Sequence, residues 1–358
     1  MATRRGFLGS LLAASAVPMA GWADAGSPKV LAAARDADGS YALYGIDDAG
    51  ERSFRVALPG RGHAGAAHPT RPEAVAFARR PGRFALVLDC LTGSVLAELA
   101  APSGCAFNGH GCFSPDGTRL FTCEQVLEGS AGQIGIWQAG SPYRRIGAFA
   151  TGGIGPHELR WHLQSGGLVV ANGGIDTDPA DRSKLNLDSM APSLVYLSPD
   201  GRIVEQVALD ADLQQNSIRH LAIAPDGMVA CALQWEGDPG HTPPLLALHR
   251  QGQSLHPCAV PPDQAGAMQN YAGSIAFDNS GETVALSSPK GGVVQVFSAA
   301  GRLLYSLHLP DVCGIAARSG GFLLTDGHGG IAHGDAAGVT PMTRAPCAWD
   351  NHIVPVAG

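Results

Sequence analysis

The chain alternates between short apolar runs and turns rich in Gly, Pro, Asp and Asn along most of its length. One such unit reads NGHGCFSPDG (108–117) followed by TRLFTCEQ, and another reads IRHLAIAPDG (218–227) followed by MVACALQW. Apolar runs of about four to eight residues bounded by turn residues are typical of β-strands joined in hairpins. The pattern therefore predicts an all-β fold built from many short strands.

The two units share one register, because in each a histidine stands five residues before the proline of the turn. A third copy is GPHELRWHLQSG (155–166), and GHAGAAHP (62–69) is a looser one. Two further copies keep the frame but carry Ser274 and Cys313 in place of the histidine. The C-terminal WDNHIVPV (349–356) offers a histidine and one strand with nothing after it. These seven copies indicate a repeat fold.

Successive register positions are 47, 47, 63, 54, 39 and 39 residues apart, which is typical of four-stranded propeller blades. Residues 30–58 carry three strand-like runs with no histidine-bearing strand before them. We therefore predict a seven-bladed β-propeller whose last blade takes its inner strand from residues 349–356 and its outer three from residues 30–58. This closure removes exposed sheet edges. Two stacked β-sandwiches are the alternative fold, and they leave the complementary ends unexplained.

Composition supports strands over helices and excludes one class of partner. The chain has 48 Gly and 25 Pro, which would interrupt every long helix. The net charge is −7, from 24 basic and 31 acidic residues, and the basic residues form no cluster. A nucleic-acid interface needs basic residues gathered on one face, so we expect no nucleic-acid partner. The third unit is the longest because residues 178–190 interrupt it, and such inserts often carry function.

The N-terminal segment resembles an export signal. TRRGFL (3–8) precedes an apolar run (9–22) and the small-residue pattern ADA (23–25). We predict a twin-arginine signal peptide over residues 1–25 and a single propeller domain over residues 26–358, located in the periplasm. A membrane anchor is the alternative, but the run is shorter than the about 20 residues a span needs. We expect no membrane span after signal removal.

Repetition of the histidine predicts a ring around the central channel. The residues expected to line it are His63, His110, His157, His220 and His352, with Ser274 and Cys313 completing the seven. Neutral imidazole binds Fe, Cu and Zn, and a thiolate shifts the preference toward Cu and Zn. We therefore predict a transition-metal site, holding iron or copper. A polar channel filled with ordered water and a site for an anionic ligand are the alternatives.

Charged residues near the ring extend the predicted site. Glu158 adjoins His157, and Glu124 follows His110 on the next strand, so both carboxylates are expected to orient the imidazoles. Arg160 and Arg219 are expected to favour an anion instead.

The remaining histidines, among them His68, His162 and His249, are expected at the surface. The sequence has no CxxCH motif, which excludes a covalent c-type haem but not a non-covalent one. It also lacks a nucleophile elbow, an HExxH motif, a P-loop and a Rossmann fingerprint.

Several strings resemble the family of Tat-exported bacterial propellers known as domain of unknown function 1513. They are RGH (61–63), GHGCFSPDG (109–117), GPHE (155–158), ANGGI (171–175), DRSKLN (181–186), MAPSL (190–194), SIRHL (217–221) and SPKGG (288–292). Two family strings differ here: this chain has Thr177-Asp178-Pro179 where the family has THP, and Cys123-Glu124-Gln125 where the family has TEN. The resemblance implies a periplasmic seven-bladed propeller associated, by gene neighbourhood, with imelysin-type iron-uptake proteins and di-haem oxidoreductases.

Together these features predict a periplasmic metal-binding or accessory propeller linked to iron or copper acquisition, with imelysin-type iron-uptake proteins as partners. One alternative is a metal-dependent oxidoreductase or lactonase-like hydrolase that uses the same pocket. Another is a protein-interaction scaffold that needs no metal.

Overall fold

The computed structural model describes residues 20–79 and 83–356. The arginine pair of the predicted signal therefore lies outside the described residues. Within them, Trp22 and Ala25 pack against Leu31 and Leu43 of the body, and Trp22 Nε1 donates a hydrogen bond to the carbonyl of His68 at 2.8 Å. The predicted cleavage after Ala25 would remove Trp22 from this contact, and it stays a prediction.

The described residues form seven antiparallel sheets of four strands each. The innermost strands are β4 (Gly62–Ala67), β8 (Cys105–Phe113), β12 (Pro156–His162), β16 (Asn216–Ile223), β20 (Ser274–Phe277), β24 (Val312–Arg318) and β28 (Cys347–Pro355). The second strands are β1 (Val30–Asp36), β5 (Glu73–Ala78), β9 (Arg119–Val126), β13 (Gly167–Asn172), β17 (Val229–Trp235), β21 (Thr283–Ser288) and β25 (Gly321–Asp326).

The third strands are β2 (Tyr41–Ile46), β6 (Ala85–Asp89), β10 (Ala131–Gln138), β14 (Ser193–Leu197), β18 (Leu246–His249), β22 (Val293–Ser298) and β26 (Gly330–Asp335). The outermost are β3 (Arg52–Leu58), β7 (Val95–Leu99), β11 (Arg144–Ile154), β15 (Ile203–Val207), β19 (His256–Pro257), β23 (Leu303–His308) and β27 (Gly338–Arg344). The described helices are short: the α-helix Pro262–Ala265 and the 3₁₀ turns Leu187–Ser189 and Ala211–Leu213. None of the helices in the described ranges is long and apolar enough to cross a membrane.

The chain ends share one blade, which confirms the predicted closure. Strand β28 pairs antiparallel with β1, joining Val30 to Pro355 and Asp36 to Cys347. The seven innermost strands also contact one another in chain order, and β28 contacts β4 to complete the ring. The protein is therefore a seven-bladed β-propeller, and each predicted register position lies on an innermost strand.

The hydrophobic core lies between adjacent blades. Because a propeller strand packs on both faces, its middle positions are buried on both sides, as in the fully buried β13 (GLVVAN). One inter-blade layer, for example, joins Val169 and Leu194 to Leu233 and Leu246 of the next blade. Outermost strands alternate between exposed and half-buried residues, as β11 does, since one face of each meets solvent.

Three histidines expected at the surface are buried, so that expectation is wrong. His68, His162 and His249 are 1%, 3% and 2% exposed. The Nε2 atoms of His68 and His162 lie 3.1 and 2.9 Å from the carbonyls of Gly117 and Gly227, which are turn residues of the next blade. His249 contacts the hydroxyl of Tyr196 at 2.8 Å. These imidazoles satisfy polar groups where blades meet.

Candidate metal centre in the channel

The structure brings the five repeated histidines together on the channel axis. Their ring centroids are 4.4 Å apart for His220 and His352, 4.6 Å for His157 and His220, and 5.0 Å for His63 and His110. Each comes from a different innermost strand, so the cluster exists only because the ring is closed. His63 is the most exposed of them, with 13% of its side-chain surface accessible.

The cluster contains two overlapping groups of candidate ligands. One group joins His63, His110 and His352, and the other joins His110, His157 and His220. Within each group, one donor atom per residue lies within 4.8 Å of the others. Because metal–nitrogen bonds are about 2.0–2.1 Å, tetrahedral donors lie roughly 3.4 Å apart, so binding needs side-chain shifts of only about 1 Å. His110 belongs to both groups.

A buried carboxylate supports one side of the cluster. Oε2 of Glu158 lies 3.1 Å from Nδ1 of His220 and 3.9 Å from Nδ1 of His110. Its other oxygen accepts a hydrogen bond from Nε of Arg160 at 2.6 Å. A carboxylate on Nδ1 fixes the tautomer that leaves Nε2 with a free lone pair, as in carboxylate–histidine–metal arrangements.

The charge of Glu158 follows from its contacts. Burial alone would raise the pKa of Glu158, but the charge of Arg160 and the contact with His220 outweigh burial and bring that pKa to about 2. The carboxylate is therefore ionised at neutral pH, and a fixed negative charge stands beside the imidazoles.

A second carboxylate stands on the opposite side of the cluster. Oδ1 of Asp350 lies 3.7 Å from Nδ1 of His63. Arg61 and Arg79 bind its two oxygens at 2.5 and 3.0 Å. Burial alone would raise the pKa of Asp350, but His63 and the two arginines outweigh burial and bring that pKa to about 2. Asp350 is not among the predicted site residues, although an acidic residue two positions before His352 is a visible signal in the sequence.

At least two of the imidazoles are held in the neutral form that metals bind. Burial lowers the pKa of His63, against the opposing effect of Asp350. Burial, together with the neighbouring imidazoles, lowers the pKa of His352 well below its usual value. The Nε2 atom of His352 is buried without a hydrogen-bond partner among the described residues. A buried nitrogen of this kind is a ligand donor without a competing contact.

The glycine before His110 is required by the close approach of two blades. Gly109 has φ +90°, a conformation that residues with a side chain rarely adopt. A Cβ atom there would stand 2.6 Å from Cδ2 of His63. Gly109 therefore lets the imidazoles of His63 and His110 meet.

Cavities open at both ends of the cluster. A cavity of 320 Å³, here called the Trp161 cavity, is lined by His110, Glu158, Arg160, Trp161, His220, Ser274 and His352. A second cavity of 240 Å³, the basic pocket, is lined by Arg79, Arg182, Lys184, Arg219, Glu236 and Tyr271 together with His63, His157 and His220. On the innermost strands, residues that follow the histidines in the chain line the Trp161 cavity, and residues that precede them in the chain line the basic pocket. Because innermost strands run in one direction around the ring, the two cavities lie at opposite ends of the cluster.

The other residues of the predicted site fall in different places. Both oxygens of Glu124 bind Arg145, at 2.7 and 2.9 Å, so Glu158 and not Glu124 is the carboxylate beside His110. The thiol of Cys313 lies 3.2 Å from the carbonyl of Asp311, and Cys313 is in neither ligand group of the described residues. Ser274 lines the Trp161 cavity, as Arg160 does, whereas Arg219 lines the basic pocket.

Fold and site define a seven-bladed propeller with a histidine-lined channel. The chain belongs to the family described as a protein of unknown function, DUF1513, whose model matches residues 56–356. Comparison with curated proteins gives no match.

Solved structures share the fold. Kuenenia stuttgartiensis hydrazine synthase is 14% identical, with a TM-score of 0.59 over 87% of this chain and 94% of that chain. A functionally unknown protein from Desulfotomaculum acetoxidans is 12% identical, with a TM-score of 0.57 over 88% and 95%. A protein of unknown function from Bacteroides caccae is 14% identical, with a TM-score of 0.50 over 79% and 94%. At these identities the likeness concerns the propeller fold alone.

Proposed function

We propose that this protein binds a transition-metal ion, iron or copper, in its central channel and serves as a metal-binding or accessory protein. The observation that carries the proposal is the pair of overlapping histidine groups that share His110 and are supported by ionised Glu158. An all-imidazole donor set suits Fe, Cu and Zn, and without Cys313 it has no thiolate to favour copper.

Metal counting tests this proposal directly. The purified protein is loaded with Fe(II), Cu(II) or Zn(II), dialysed, and analysed by mass spectrometry. We expect about one tightly held ion per chain for iron or copper, because both groups depend on one shared ligand. Replacement of the exposed His308 by Ala is the matched control and should leave the count unchanged. A count near zero for all metals would contradict the proposal.

Binding is better supported than catalysis by the state of the carboxylates. A hydrolase would need a general base near the metal-bound water, and such a base works best with a pKa near the operating pH. The pKa of Glu158 is about 2 and its oxygens are already engaged by Arg160 and His220. Glu124 is bound by Arg145. We therefore place the metal-dependent oxidoreductase or lactonase-like hydrolase second; chelator-sensitive turnover of a lactone or redox dye would reverse that order.

The cellular setting of the proposal comes from the family resemblance and the N-terminal segment. We propose a periplasmic location after twin-arginine export and a role beside imelysin-type iron-uptake proteins. Co-purification from periplasm, with and without chelator, tests the partner. Capture that depends on metal and is lost on His110→Ala supports metal presentation, whereas capture that survives both treatments supports a metal-free scaffold.

A further inference from the structure

The basic pocket holds more positive than negative charge. Its lining includes the cations Arg79, Arg182, Lys184 and Arg219 but one carboxylate, Glu236. Glu236 binds two of them, Lys184 and, at 3.2 Å, Arg219. Arg79 is held by Asp350 outside the pocket lining. Lys184 and Arg219 therefore share a single carboxylate, so this pair carries a positive excess that Glu236 does not balance.

The third-blade insert, residues 178–190, carries two of these cations, Arg182 and Lys184, and its own backbone contacts position them. It forms a small hairpin in which Thr177 and Lys184 make an isolated antiparallel β-bridge. The backbone amide of Arg182 donates a hydrogen bond to the carbonyl of Asp178 at 2.8 Å. Asn186 ties the base of the hairpin to the blade, since its Nδ2 donates to the carbonyl of Gly174 at 3.0 Å. These contacts fix the backbone that carries Arg182 and Lys184 before any ligand binds.

Hydrogen-bond donors in the pocket have unused capacity. Nε of Arg219 is buried without a hydrogen-bond partner among the described residues, and 12% of this side chain is exposed. The hydroxyl of Tyr271 accepts from Nδ2 of Asn351 at 3.3 Å, which leaves its own proton to donate. Nζ of Lys290 lies 4.7 Å from the Tyr271 ring centroid and adds positive charge. An unsatisfied buried donor costs free energy that an anion would recover.

We propose that the basic pocket binds a small multivalent oxyanion, either a carboxylate or a phosphate. Its volume of 240 Å³ is below the about 300–1,000 Å³ of sites for drug-sized ligands, so the pocket suits a compact anion. Arginine and lysine donors match carboxylate and phosphate oxygens. His63 and His157 line the same pocket, so an anion oxygen also reaches the histidine cluster. Contact between the anion and a bound metal ion rests on the proposed metal site, whereas anion binding in the basic pocket does not.

Calorimetric titration of metal-stripped protein at low ionic strength tests the anion site alone. The probes are citrate and inorganic phosphate, with chloride as reference. Arg219→Gln should weaken binding by roughly 10–100-fold, because a charged hydrogen-bond donor is lost. Lys184→Gln, on the partly exposed insert where misfolding is not expected, should weaken it by about three- to tenfold. The exposed Arg202→Gln is the matched control.

Removing the negative charge of the pocket, where the variants above remove positive charges, separates ligand binding from structural support. Glu236→Gln removes the carboxylate that competes for Lys184 and Arg219, so affinity should rise by about threefold or more. Binding of citrate alone identifies a carboxylate site, and binding of phosphate alone a phosphate site. The proposal would be overturned if citrate and phosphate both bound no more tightly than chloride. It would also be overturned if Glu236→Gln weakened anion affinity as Lys184→Gln does. His110→Ala should abolish metal uptake but keep anion binding, so the two proposals fail separately.

Discussion

Replacing His110 by Ala is the substitution to which the metal site is most sensitive. His110 is a member of both ligand groups, so no arrangement of three histidines from either group survives its loss. His63 and His157 each belong to one group. The three Ala variants therefore identify the group that holds the ion: His110→Ala should abolish binding, and one of the other two should spare it.

The expected size of the effect follows from linkage. A ligand at 100 times its Kd stabilises the folded state by about 2.7 kcal/mol. For a domain of this size, 1 kcal/mol moves Tm by roughly 2 °C, so saturating metal should raise Tm by about 5 °C. The quantity to compare is Tm with metal minus Tm after chelation for each variant, because this difference cancels the cost of truncating a buried side chain.

Differential scanning fluorimetry with added Fe(II) or Cu(II) measures the shift. We expect about 5 °C for the wild type and for the exposed control His308→Ala, and no shift for His110→Ala. A full shift in His110→Ala would refute the reasoning from shared ligands. An equal loss in His308→Ala would show that metal acts at the surface and not in the channel.

Three further substitutions test individual contacts. Gly109→Ala places a Cβ atom 2.6 Å from Cδ2 of His63, so metal affinity in competition with a chelator should fall by roughly tenfold although every donor remains. Arg145→Gln leaves Glu124, which is fully buried, as an unpaired charge; the free energy of unfolding in urea should fall by about 3–5 kcal/mol while metal uptake stays unchanged. Trp349→Ala removes a buried ring of the closing blade and should cost about 3–5 kcal/mol in the same assay.

Each of these outcomes can fail in a specific way. Unchanged affinity in Gly109→Ala would contradict the inference that Gly109 keeps His63 and His110 in positions from which they bind the ion. Lost metal uptake in a folded Arg145→Gln variant would return Glu124 to the site. A cost below about 1 kcal/mol for Trp349→Ala would contradict the importance of packing in the closing blade.

The repeat explains why much of the fold was predictable. A duplicated strand carries the same residue at the same position, and the innermost strands of equivalent blades point equivalent residues at one axis. The seven register positions and their spacing therefore indicated the blade count, and the repeated histidine indicated that His63 and His110 meet at the channel. The missing outer strands at one end and the missing inner strand at the other likewise indicated that β28 pairs with β1.

Contacts between blades were not predictable from the same pattern. Glu124 lies close to His110 along the chain, but the strand pairing directs it to Arg145 on β11. Asp350 stands beside His63 although 287 residues separate them, because ring closure brings β28 against β4. Similarly, His68 is buried because it reaches the turn at Gly117 in the next blade.

The sequence by itself determined the seven blades, their closure and the shared register of the histidines, since these depend on a periodicity visible within each unit. The tertiary structure decided which carboxylates support the imidazoles and which cations surround the basic pocket. Those choices depend on side chains from different blades meeting across a closed ring, and local periodicity carries no information about such meetings. The insert is the clearest case: its charges are visible in the sequence, but the fold places Lys184 beside Glu236 and Arg219.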